Sequence, residues 1–289
     1  MDGVVIINKP KGMTSQNVVS KVKRILNEKK VGHAGTLDPN ATGVLPILVG
    51  KATKISKYLI EHDKSYEAII KLGEKSSTGD IEGDIVEKKE IKLDKYTSED
   101  IQNILNMFLG KTKQIPPMYS AIKVNGKKLY EYAREGKEIE LKERDIEIFN
   151  IQLKNVDYEN QEISYIVDCS KGTYIRTLCE DIAKKLNTVG YMKELTRLRV
   201  DKFNISNAIT LEELEKKKNN SNFEDIIPIE SLFSDKPKII LTNKKENLFL
   251  NGVKLTFNNE DGTYLIYSEK KSYIGLGIIK DNLLKRDVV

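Results

Sequence analysis

Gly32-His33-Ala34-Gly35-Thr36-Leu37-Asp38-Pro39-Asn40-Ala41-Thr42-Gly43 contains three glycines, a proline, one of the chain's two histidines and a single carboxylate. Glycine and proline at this density fix a tight, irregular backbone. Residues 44–49 are apolar throughout and predict a buried strand directly after this loop. We therefore expect the loop to be anchored to the core, an arrangement that presents a reactive side chain rigidly.

Asp38 carries the only negative charge between Glu28 and Glu61, and lysines flank this region on both sides. Nearby positive charge favours the ionised form of a carboxyl group, so the sequence predicts that Asp38 is ionised. The residues alone leave two interpretations open. Asp38 is either a reactive carboxylate or an ordinary turn residue that hydrogen-bonds backbone amides two positions further on.

The length and composition favour one large domain with a smaller one. The chain has 289 residues, of which 39% are hydrophobic, and this is enough for a sizeable core. No apolar window approaches the length of a membrane span, and the N-terminus lacks the basic region and cleavage site of a signal peptide. Cys169 and Cys179 are expected to be reduced thiols, and no Cys/His spacing resembles a metal site. We expect a cytoplasmic protein without a bound metal.

The charge is distributed unevenly along the chain. Residues 1–60 contain ten basic and three acidic residues, and residues 236–289 contain ten basic and six acidic residues. The overall net charge is only +5, so the middle of the chain is acidic. Two basic ends favour binding to a polyanion such as a nucleic acid, although lysine-rich surfaces are common among proteins in general.

Turn signals and apolar periodicity predict an α+β protein. Thr14 or Ser15 can cap a first helix, and Thr97 or Ser98 can begin another that stops at Gly110. Further predicted elements are helices at 51–60, 174–186 and 210–217, strands at 66–72, 144–156 and 161–169, and a loop at 73–83. The best domain boundary lies at 231–238. It divides the chain into residues 1–235 and a short, strand-rich segment at 236–289.

The stretch from 32 to 43, with Val44-Leu45-Pro46 after it, resembles the signature of the tRNA pseudouridine synthase B (TruB) family. Three further stretches match this family in the expected order. They are Asn8-Lys9-Pro10-Lys11-Gly12-Met13-Thr14-Ser15, Ser65-Tyr66-Glu67-Ala68 and Lys171-Gly172-Thr173-Tyr174-Ile175-Arg176-Thr177. The first motif usually begins with aspartate, so Asn8 is a departure, but the catalytic acid of the family lies elsewhere.

The resemblance implies a role for each matched residue. Asp38 corresponds to the catalytic nucleophile, Tyr66 to a tyrosine that stacks on the target base, and Arg176 to the family's active-site arginine. Arg176 also falls in the first turn of a predicted helix, where positive charge opposes the helix dipole, and this indicates Asp38 as an anionic partner. The implied substrate-binding and RNA-binding residues are His33, Leu195, Lys9, Pro10, Gly35, Thr36, Lys123 and Arg134.

Simpler explanations exist for several of these residues. Tyr66 is also consistent with a core tyrosine, one of 13 in the chain, and His33 with a histidine that the backbone satisfies. Lys9 and Pro10 support the active-site loop in the family, but they also fit the end of a strand. Residues 112–143 resemble the family's mobile insertion, which folds over the T arm of tRNA, and they equally fit a solvated basic hairpin.

The resemblance implies the pseudouridine synthase fold, which has a mixed, largely antiparallel central sheet with flanking helices. It also implies a C-terminal β-rich domain similar to a PUA RNA-binding module. The implied activity is isomerisation of uridine 55 to pseudouridine in the T loop of tRNA, on a base flipped out of its stack. This chemistry needs no cofactor or metal, and no obligate protein partner is expected. A guide-RNA-dependent relative and a tRNA-binding folding chaperone with incidental catalysis are the alternative functions.

Overall fold

A computed structural model describes residues 1–120, 122–137 and 139–289. Ala121 and Glu138, both within the predicted insertion at 112–143, lie outside the described residues. The described residues form nineteen strands and eight α-helices, which are β1 (Gly3–Lys9), α1 (Ser15–Leu26), β2 (Val31–His33), β3 (Thr42–Val49), α2 (Ser56–Leu59), β4 (Lys64–Leu72), β5 (Glu74–Ser76), β6 (Ile85–Lys88), α3 (Ser98–Asn106), β7 (Gly110–Gln114), β8 (Lys123–Val124), β9 (Lys127–Lys128), α4 (Leu129–Arg134), β10 (Arg144–Asp157), β11 (Glu162–Cys169), α5 (Ile175–Lys185), β12 (Gly190–Val200), β13 (Phe203–Asn204), α6 (Leu211–Asn219), β14 (Ile227–Pro228), α7 (Ile229–Leu232), β15 (Lys238–Leu241), α8 (Asn243–Leu250), β16 (Leu255–Thr256), β17 (Gly262–Ser268), β18 (Tyr273–Lys280) and β19 (Leu283–Val288).

The largest sheet, called the central sheet, has ten strands. Eight of them follow the order β14-β1-β3-β12-β4-β11-β10-β7, while β2 pairs with β3 and β13 with β12. Neighbouring strands are antiparallel except for β3 and β12. The predicted α+β class and the largely antiparallel sheet are therefore confirmed.

The central sheet fixes both ends of the segment that we call the Asp38 loop, residues 34–41. This loop joins β2 to β3, and β3 then runs parallel to β12 for two residue pairs, Thr42 with Thr196 and Gly43 with Arg197. Gly43 has a φ of +100°, and a Cβ at this position would lie 2.2 Å from the carbonyl oxygen of Arg197. Only glycine fits here, so Gly43 permits the close approach between the end of the loop and β12.

Two groups of helices pack on the central sheet. The first group is α1 and α6, whose apolar residues form one core with β1 and β3. The cap of α1 is Thr14, whose hydroxyl accepts a hydrogen bond from Asn17 N at 3.0 Å. The second group is α3 and α5, which cover β4, β10, β11 and β12 around the fully buried ring of Tyr165. The apolar spacing that predicted these helices therefore faces the core, as it does in most surface helices.

A second sheet of five strands has the order β15-β17-β18-β19-β16. Its apolar residues join a cluster that also contains residues of β1 and β3. Asp287 on β19 accepts hydrogen bonds from Lys57 Nζ at 2.5 Å and from the Tyr58 hydroxyl at 2.7 Å, both on α2. The strand-rich character predicted for residues 236–289 is therefore observed, and the sheet packs directly against the segment around α2.

Some expectations from the sequence were wrong in detail. The segment at 73–83 is not entirely a loop, because β5 begins at Glu74 and pairs with β6. The helix predicted at 51–60 consists of a 3₁₀ turn, Gly50–Ile55, followed by the single turn of α2. The strand β12 was not predicted, because its alternating charged residues hide a half-buried pattern. Among the helices of the described residues, none has the length and apolar character needed to cross a membrane.

Candidate active site

A cavity of about 610 Å³ opens where the Asp38 loop, β4, α5 and β12 meet, and we call it the Asp38 cavity. Its wall includes apolar side chains such as Leu195 and Met192. The wall also includes polar groups of Asp38, Tyr66, Ser120, Arg176 and Arg197. Residues separated by up to 159 positions in the sequence therefore meet at one site, which combines apolar side chains with convergent polar groups.

Arg176 holds the Asp38 carboxylate. Its Nε lies 3.2 Å from Asp38 Oδ2, and its Nη2 lies 3.4 Å from Asp38 Oδ1. The same guanidinium donates to Thr78 O at 3.2 Å and to Tyr119 O at 2.6 Å. Its Nη1 also lies 3.6 Å from the carboxylate of Asp80. Arg176 is 8% exposed at its side chain, so these contacts orient Asp38 in surroundings where water screens the charges weakly.

Arg176 lies in the first turn of α5, whose N-cap residue Tyr174 offers no side-chain cap. A positive charge there opposes the helix dipole. The two carboxylates of Asp38 and Asp80 compensate for this unfavourable location. The sequence indicated Asp38 as the partner of Arg176 but missed Asp80. The available signal for Asp80 was an acidic residue inside a glycine-bounded segment, from Gly79 to Gly83.

The ionisation of Asp38 depends mainly on burial. Burial raises the pKa of Asp38 above its usual value, the charges of Arg176 and Lys9 oppose this rise, and the charge of Asp80 adds to it. The sequence-based expectation considered only the positive neighbours, which do favour the ionised form, and it left out the loss of hydration that acts against them. A carboxylate that is destabilised by burial and yet held by a cation is suited to nucleophilic attack.

Lys9 binds the backbone of the Asp38 loop through hydrogen bonds. Its side chain is completely buried, and Nζ donates to Pro39 O at 2.8 Å, Met13 O at 2.5 Å and Pro10 O at 3.0 Å. Burial lowers the pKa of Lys9 to about 8, while the negative charge of Asp38 opposes this effect. Lys9 therefore does more than end β1: it joins the turn after β1 to the residue that follows Asp38.

Ser15 fastens the loop at a second point. Its hydroxyl accepts from Leu37 N at 2.9 Å and is 3.1 Å from Leu37 O, so the residue before Asp38 is bound through both backbone groups. Gly12 N donates to Pro39 O at 2.9 Å. The backbone on either side of Asp38 is thus fixed by the turn between β1 and α1, which is the stretch that carries the first family motif.

Tyr66 and Leu195 lie on adjacent strands at the cavity. In the register between β4 and β12, Tyr66 is opposite Arg197 and Leu195 is opposite Ala68. Both Tyr66 and Leu195 are at least 90% buried, and both line the Asp38 cavity. Burial raises the pKa of the Tyr66 phenol, and the nearby Arg197 guanidinium opposes the rise. Tyr66 therefore belongs to the core and also lines the cavity wall, while its stacking on a base stays a prediction.

Arg197 is the principal residue of the site that the sequence did not reveal. It is 1% exposed, and its guanidinium donates to Val44 O at 2.8 Å, Gly35 O at 3.1 Å and Thr36 O at 3.4 Å. Gly35 and Thr36 thus contact the site through their carbonyl groups. Arg197 and Arg199 follow Leu195 at the same two-residue spacing, so the sequence contains no signal that marks Arg197 as the buried one.

The other sequence-predicted residues lie further from Asp38. His33 ends β2, and its Nδ1 is buried without a hydrogen-bond partner among the described residues. Burial, assisted by the charge of Arg197, lowers the pKa of His33, which favours the neutral imidazole. Lys123 and Arg134 are exposed on β8 and α4, and neither lines the Asp38 cavity. Arg134 instead stacks over the ring of Tyr130, with its Cζ 5.4 Å from the ring centroid.

The chemistry that this arrangement supports is attack by a carboxylate within a partly apolar cavity. The described residues contain no group of three or more His, Cys, Asp or Glu residues that could hold a metal ion. The thiols of Cys169 and Cys179 are buried, and burial raises the pKa of each to about 12, so neither is an activated nucleophile. Asp38 remains the best candidate nucleophile in the part of the chain that the structure describes.

Comparisons with known proteins agree with this description. The N-terminal domain model of TruB family pseudouridylate synthases matches residues 23–175, and the tRNA pseudouridylate synthase B C-terminal domain model matches residues 176–234. The tRNA pseudouridine synthase B of Clostridium kluyveri is 44% identical over 287 residues, which cover 97% of this chain and 96% of the relative. The enzyme of the same name from Alkaliphilus oremlandii is 42% identical over 289 residues, covering 97% and 94% respectively.

Two solved structures contain chains with the same fold. The crystal structure of the archaeal box H/ACA sRNP Nop10–Cbf5 complex contains a chain with a TM-score of 0.66 and 26% identity, covering 96% of this chain and 78% of that one. An H/ACA RNP bound to a substrate RNA containing 2′-deoxyuridine gives a TM-score of 0.68 at 24% identity, covering 99% and 84%. The fold and the family models together define a pseudouridylate synthase.

Within this class the assignment is specific. The family models cover more than half of the chain, and the curated relatives match it at 42–45% identity over most of its length. The chain belongs to the TruB family, the tRNA pseudouridine synthase B family.

Proposed function

We propose that this chain isomerises uridine 55 to pseudouridine in the T loop of tRNA, with Asp38 as the nucleophile acting on a flipped-out base. The observation that carries the proposal is the Asp38 carboxylate, held 3.2 Å from Arg176 Nε at the wall of a cavity of about 610 Å³. Membership of the TruB family supports the tRNA substrate and the isomerisation. The position in the T loop and the roles of individual residues are the parts that experiment has to test.

The reaction requires one bond to break and one to form. The N1–C1′ bond of uridine is cleaved, the base turns, and C5 bonds to C1′. The proton on C5 is then lost and N1 gains a proton, so no atom of the base is gained or lost apart from hydrogen exchange. A carboxylate such as Asp38 can add to the ring or capture the sugar carbon, and the arrangement of the site is compatible with both routes.

The residues around Asp38 have complementary roles in this proposal. Arg176 keeps the carboxylate oriented and favours its ionised form against the effect of burial. The Tyr66 ring stacks on the base, and its hydroxyl assists proton transfer. Leu195 supplies the apolar floor that a planar ring requires.

The rim of the site is suited to a nucleic-acid backbone. Lys64, Arg144 and Lys171 line the same cavity as Asp38 and supply positive charge for phosphate groups. The exposed Lys123 and Arg134 of the insertion extend this charge beyond the cavity. His33, which is neutral and close to the loop, fills the gap that the flipped base leaves in the RNA stack. We expect the chain to act on tRNA in the cytoplasm.

The decisive experiment uses a T-arm stem-loop with tritium at C5 of its uridines, and a control stem-loop with cytidine at position 55. The purified chain is assayed alone, with EDTA present. We expect tritium release from the first RNA and none above background from the second. Equal release from both would exclude position 55 as the target. Tight binding without release from the first RNA would contradict the isomerase proposal and favour the chaperone alternative.

The solved structural neighbours raise a second possibility, since one is an H/ACA RNP bound to a substrate RNA and another is a complex of the archaeal box H/ACA sRNP. A guide-RNA-dependent enzyme would be inactive on the bare stem-loop. It would act only when a guide RNA and partner proteins were added. Activity of the chain alone on the stem-loop therefore separates the two enzyme functions.

A further inference from the structure

Arg197 is a buried cation without an acidic partner. It is 1% exposed, and no Asp or Glu oxygen among the described residues forms an ion pair with it. Burying an unpaired charge costs several kcal/mol even after relaxation. A residue that contributed only to folding would be expected to carry an acid beside it or to be replaced by an apolar side chain. The unpaired charge therefore calls for another explanation.

The hydrogen bonds of Arg197 connect β12 to the Asp38 loop and to β3. Its three nitrogens donate to the carbonyl oxygens of Val44, Gly35 and Thr36 at 2.8, 3.1 and 3.4 Å. Gly35 and Thr36 begin the Asp38 loop, so the guanidinium fixes the backbone two and three residues before Asp38. Arg197 is also opposite Tyr66 in the register of β4 and β12, so both side chains lie on the same face of the sheet, and the charge of the guanidinium opposes the rise in the pKa of the Tyr66 phenol.

A neighbouring arginine on the same strand shows the ordinary arrangement. Arg199 is 33% exposed at its side chain, and its Nη2 lies 3.0 Å from Asp168 Oδ1. Its charge is neutralised by a carboxylate and by solvent. Arg197 and Arg199 thus share residue type and strand but differ in burial and in compensation, which makes Arg199 the natural control.

We propose that Arg197 is a positioning residue for the isomerisation, which holds the Tyr66 hydroxyl and the Gly35–Thr36 backbone in one fixed geometry at the wall of the Asp38 cavity. The planar guanidinium can do this because it offers five N–H donors in a rigid fork. The inference rests on the proposed function, because it concerns the reaction that Asp38 and Tyr66 carry out.

The absence of an acid beside Arg197 has a chemical consequence. When the N1–C1′ bond breaks, the bonding electron pair stays with the base, and the electron-deficient C1′ is captured by the Asp38 carboxylate. If Asp38 instead adds first to the ring carbon C6, the electrons displaced from the C5–C6 double bond also remain on the ring. In both routes the ring carries negative charge before C5 bonds to C1′. A carboxylate next to Arg197 would cancel the positive potential that stabilises this charge through Tyr66.

Three single variants test the proposal. Arg197→Met removes both the positive charge and the N–H donors. Arg197→Lys keeps the charge but loses the planar arrangement of donors that the guanidinium provides. Arg199→Met is the matched control. The readouts are the single-turnover rate of tritium release, the affinity for the stem-loop and the melting temperature. We expect Arg197→Met to lower the rate by about 100-fold and Arg197→Lys by about 10-fold, with RNA affinity within about threefold of wild type. Arg199→Met should stay within about threefold in rate.

A double variant distinguishes positioning from a merely structural role. Tyr66→Phe removes the hydroxyl that Arg197 is proposed to hold, so Arg197→Lys should cause a much smaller loss of rate in the Tyr66→Phe background than in wild type. A merely structural arginine would cause the same proportional loss in both backgrounds. If Arg197→Met is unfolded at the assay temperature, Arg197→Lys and the double variant decide the question.

Two results would overturn the inference. One is a folded Arg197→Lys protein with the wild-type rate. The other is an equal loss of rate with and without the Tyr66 hydroxyl. Neither result would affect the proposed function, since wild-type tritium release from the stem-loop is measured in the same experiment. Absence of that wild-type release would instead mean that the proposed function has failed.

Discussion

The Asp38 loop and the insertion contribute to the same cavity but are held in opposite ways. The Asp38 loop is bound by Lys9, Ser15, Arg176 and Arg197, which come from four different segments of the chain. The insertion is held mostly by its own contacts. Its short hairpin pairs Lys123 with Lys128, and the basic groups of Lys127, Lys128 and Arg134 lie over tyrosine rings of the same segment.

The difference fits the roles proposed for the two regions. A nucleophile must stay within a fraction of an ångström of its productive position, and a backbone bound at several points around Asp38 suits that role. A surface that grips an RNA backbone acts through charge, and charge tolerates adjustment. We therefore expect changes at the loop to affect catalysis and stability, and changes at the insertion to affect RNA affinity.

Arg176 connects the two regions, and its loss should have the largest effect. It binds the Asp38 carboxylate and also the carbonyl of Tyr119, at the base of the insertion. Arg176→Met should lower the single-turnover rate at pH 7 by about 100-fold or more. If Asp38 must be ionised to react, the rate of wild type should fall as the pH decreases through the pKa of Asp38, which burial raises. Because Arg176 opposes this rise, its removal should move the acid side of the pH–rate profile to higher pH.

The pH–rate profile of Arg176→Met therefore tests whether Arg176 controls the ionisation of Asp38. The control is Arg199→Met, which keeps the Asp38 pair intact and should leave the position of the acid limb unchanged. An acid limb at the same pH in wild type and Arg176→Met would mean that another group, rather than Asp38, governs the rate.

Lys9→Met should destabilise the protein by about 3 kcal/mol, because three partly buried carbonyl oxygens would lose their donor. Equilibrium unfolding in urea measures this loss. Lys11→Met is the control: Lys11 is about half exposed and lies 3.4 Å from Glu194, so its replacement should change the free energy of unfolding by less than about 1 kcal/mol. Equal stability of the two variants would show that Lys9 does not anchor the loop.

Replacement of Lys123 or Arg134 by alanine should weaken stem-loop binding by about 3- to 10-fold and reduce its dependence on salt by about one phosphate contact each. The rate at saturating RNA should stay close to wild type. The exposed Lys216 on α6 provides a control that keeps wild-type affinity when changed to alanine. A loss of rate at saturating RNA, with affinity unchanged, would reverse the assignment of roles to the two regions.

The smallest predicted effect is a difference in the free energy of unfolding between variants of two buried serines. Ser120 Oγ has no hydrogen-bond partner among the described residues, whereas Ser15 Oγ bonds both backbone groups of Leu37. Ser120→Ala should therefore leave the free energy of unfolding unchanged or raise it by up to about 1 kcal/mol, while Ser15→Ala should lower it by about 1–2 kcal/mol. Thermal unfolding of the two variants measures the difference, and a larger loss from Ser120→Ala would contradict it.

The sequence predicted the parts of this site that depend on local patterns. The glycine-rich stretch around Asp38 indicated a rigid loop, and the apolar run after it indicated a buried strand, because both follow from neighbouring residues. The family resemblance added Tyr66, Arg176 and Leu195, which the structure brings together at one cavity. The α+β class and most of the helices were also predictable, since apolar spacing determines which faces are buried.

The parts that were missed depend on long-range packing. Arg197 and Asp80 acquire their surroundings only when β12 and the segment after β5 meet the Asp38 loop. No local pattern distinguishes Arg197 from Arg199, although one is buried and the other is paired at the surface. The dominant effect of burial on the pKa of Asp38 was missed for the same reason, because a sequence shows neighbouring charges but not loss of hydration.

The central claim is that the carboxylate of Asp38 performs the chemistry. The most direct test is tritium release from the T-arm stem-loop by wild type, Asp38→Asn and Asp38→Glu, with RNA affinity measured for each protein. We expect both variants to bind RNA within about threefold of wild type, Asp38→Asn to release no tritium above background, and Asp38→Glu to be slowed by at least about 1,000-fold. Release by Asp38→Asn at a rate near that of wild type would contradict the account and identify another residue as the nucleophile.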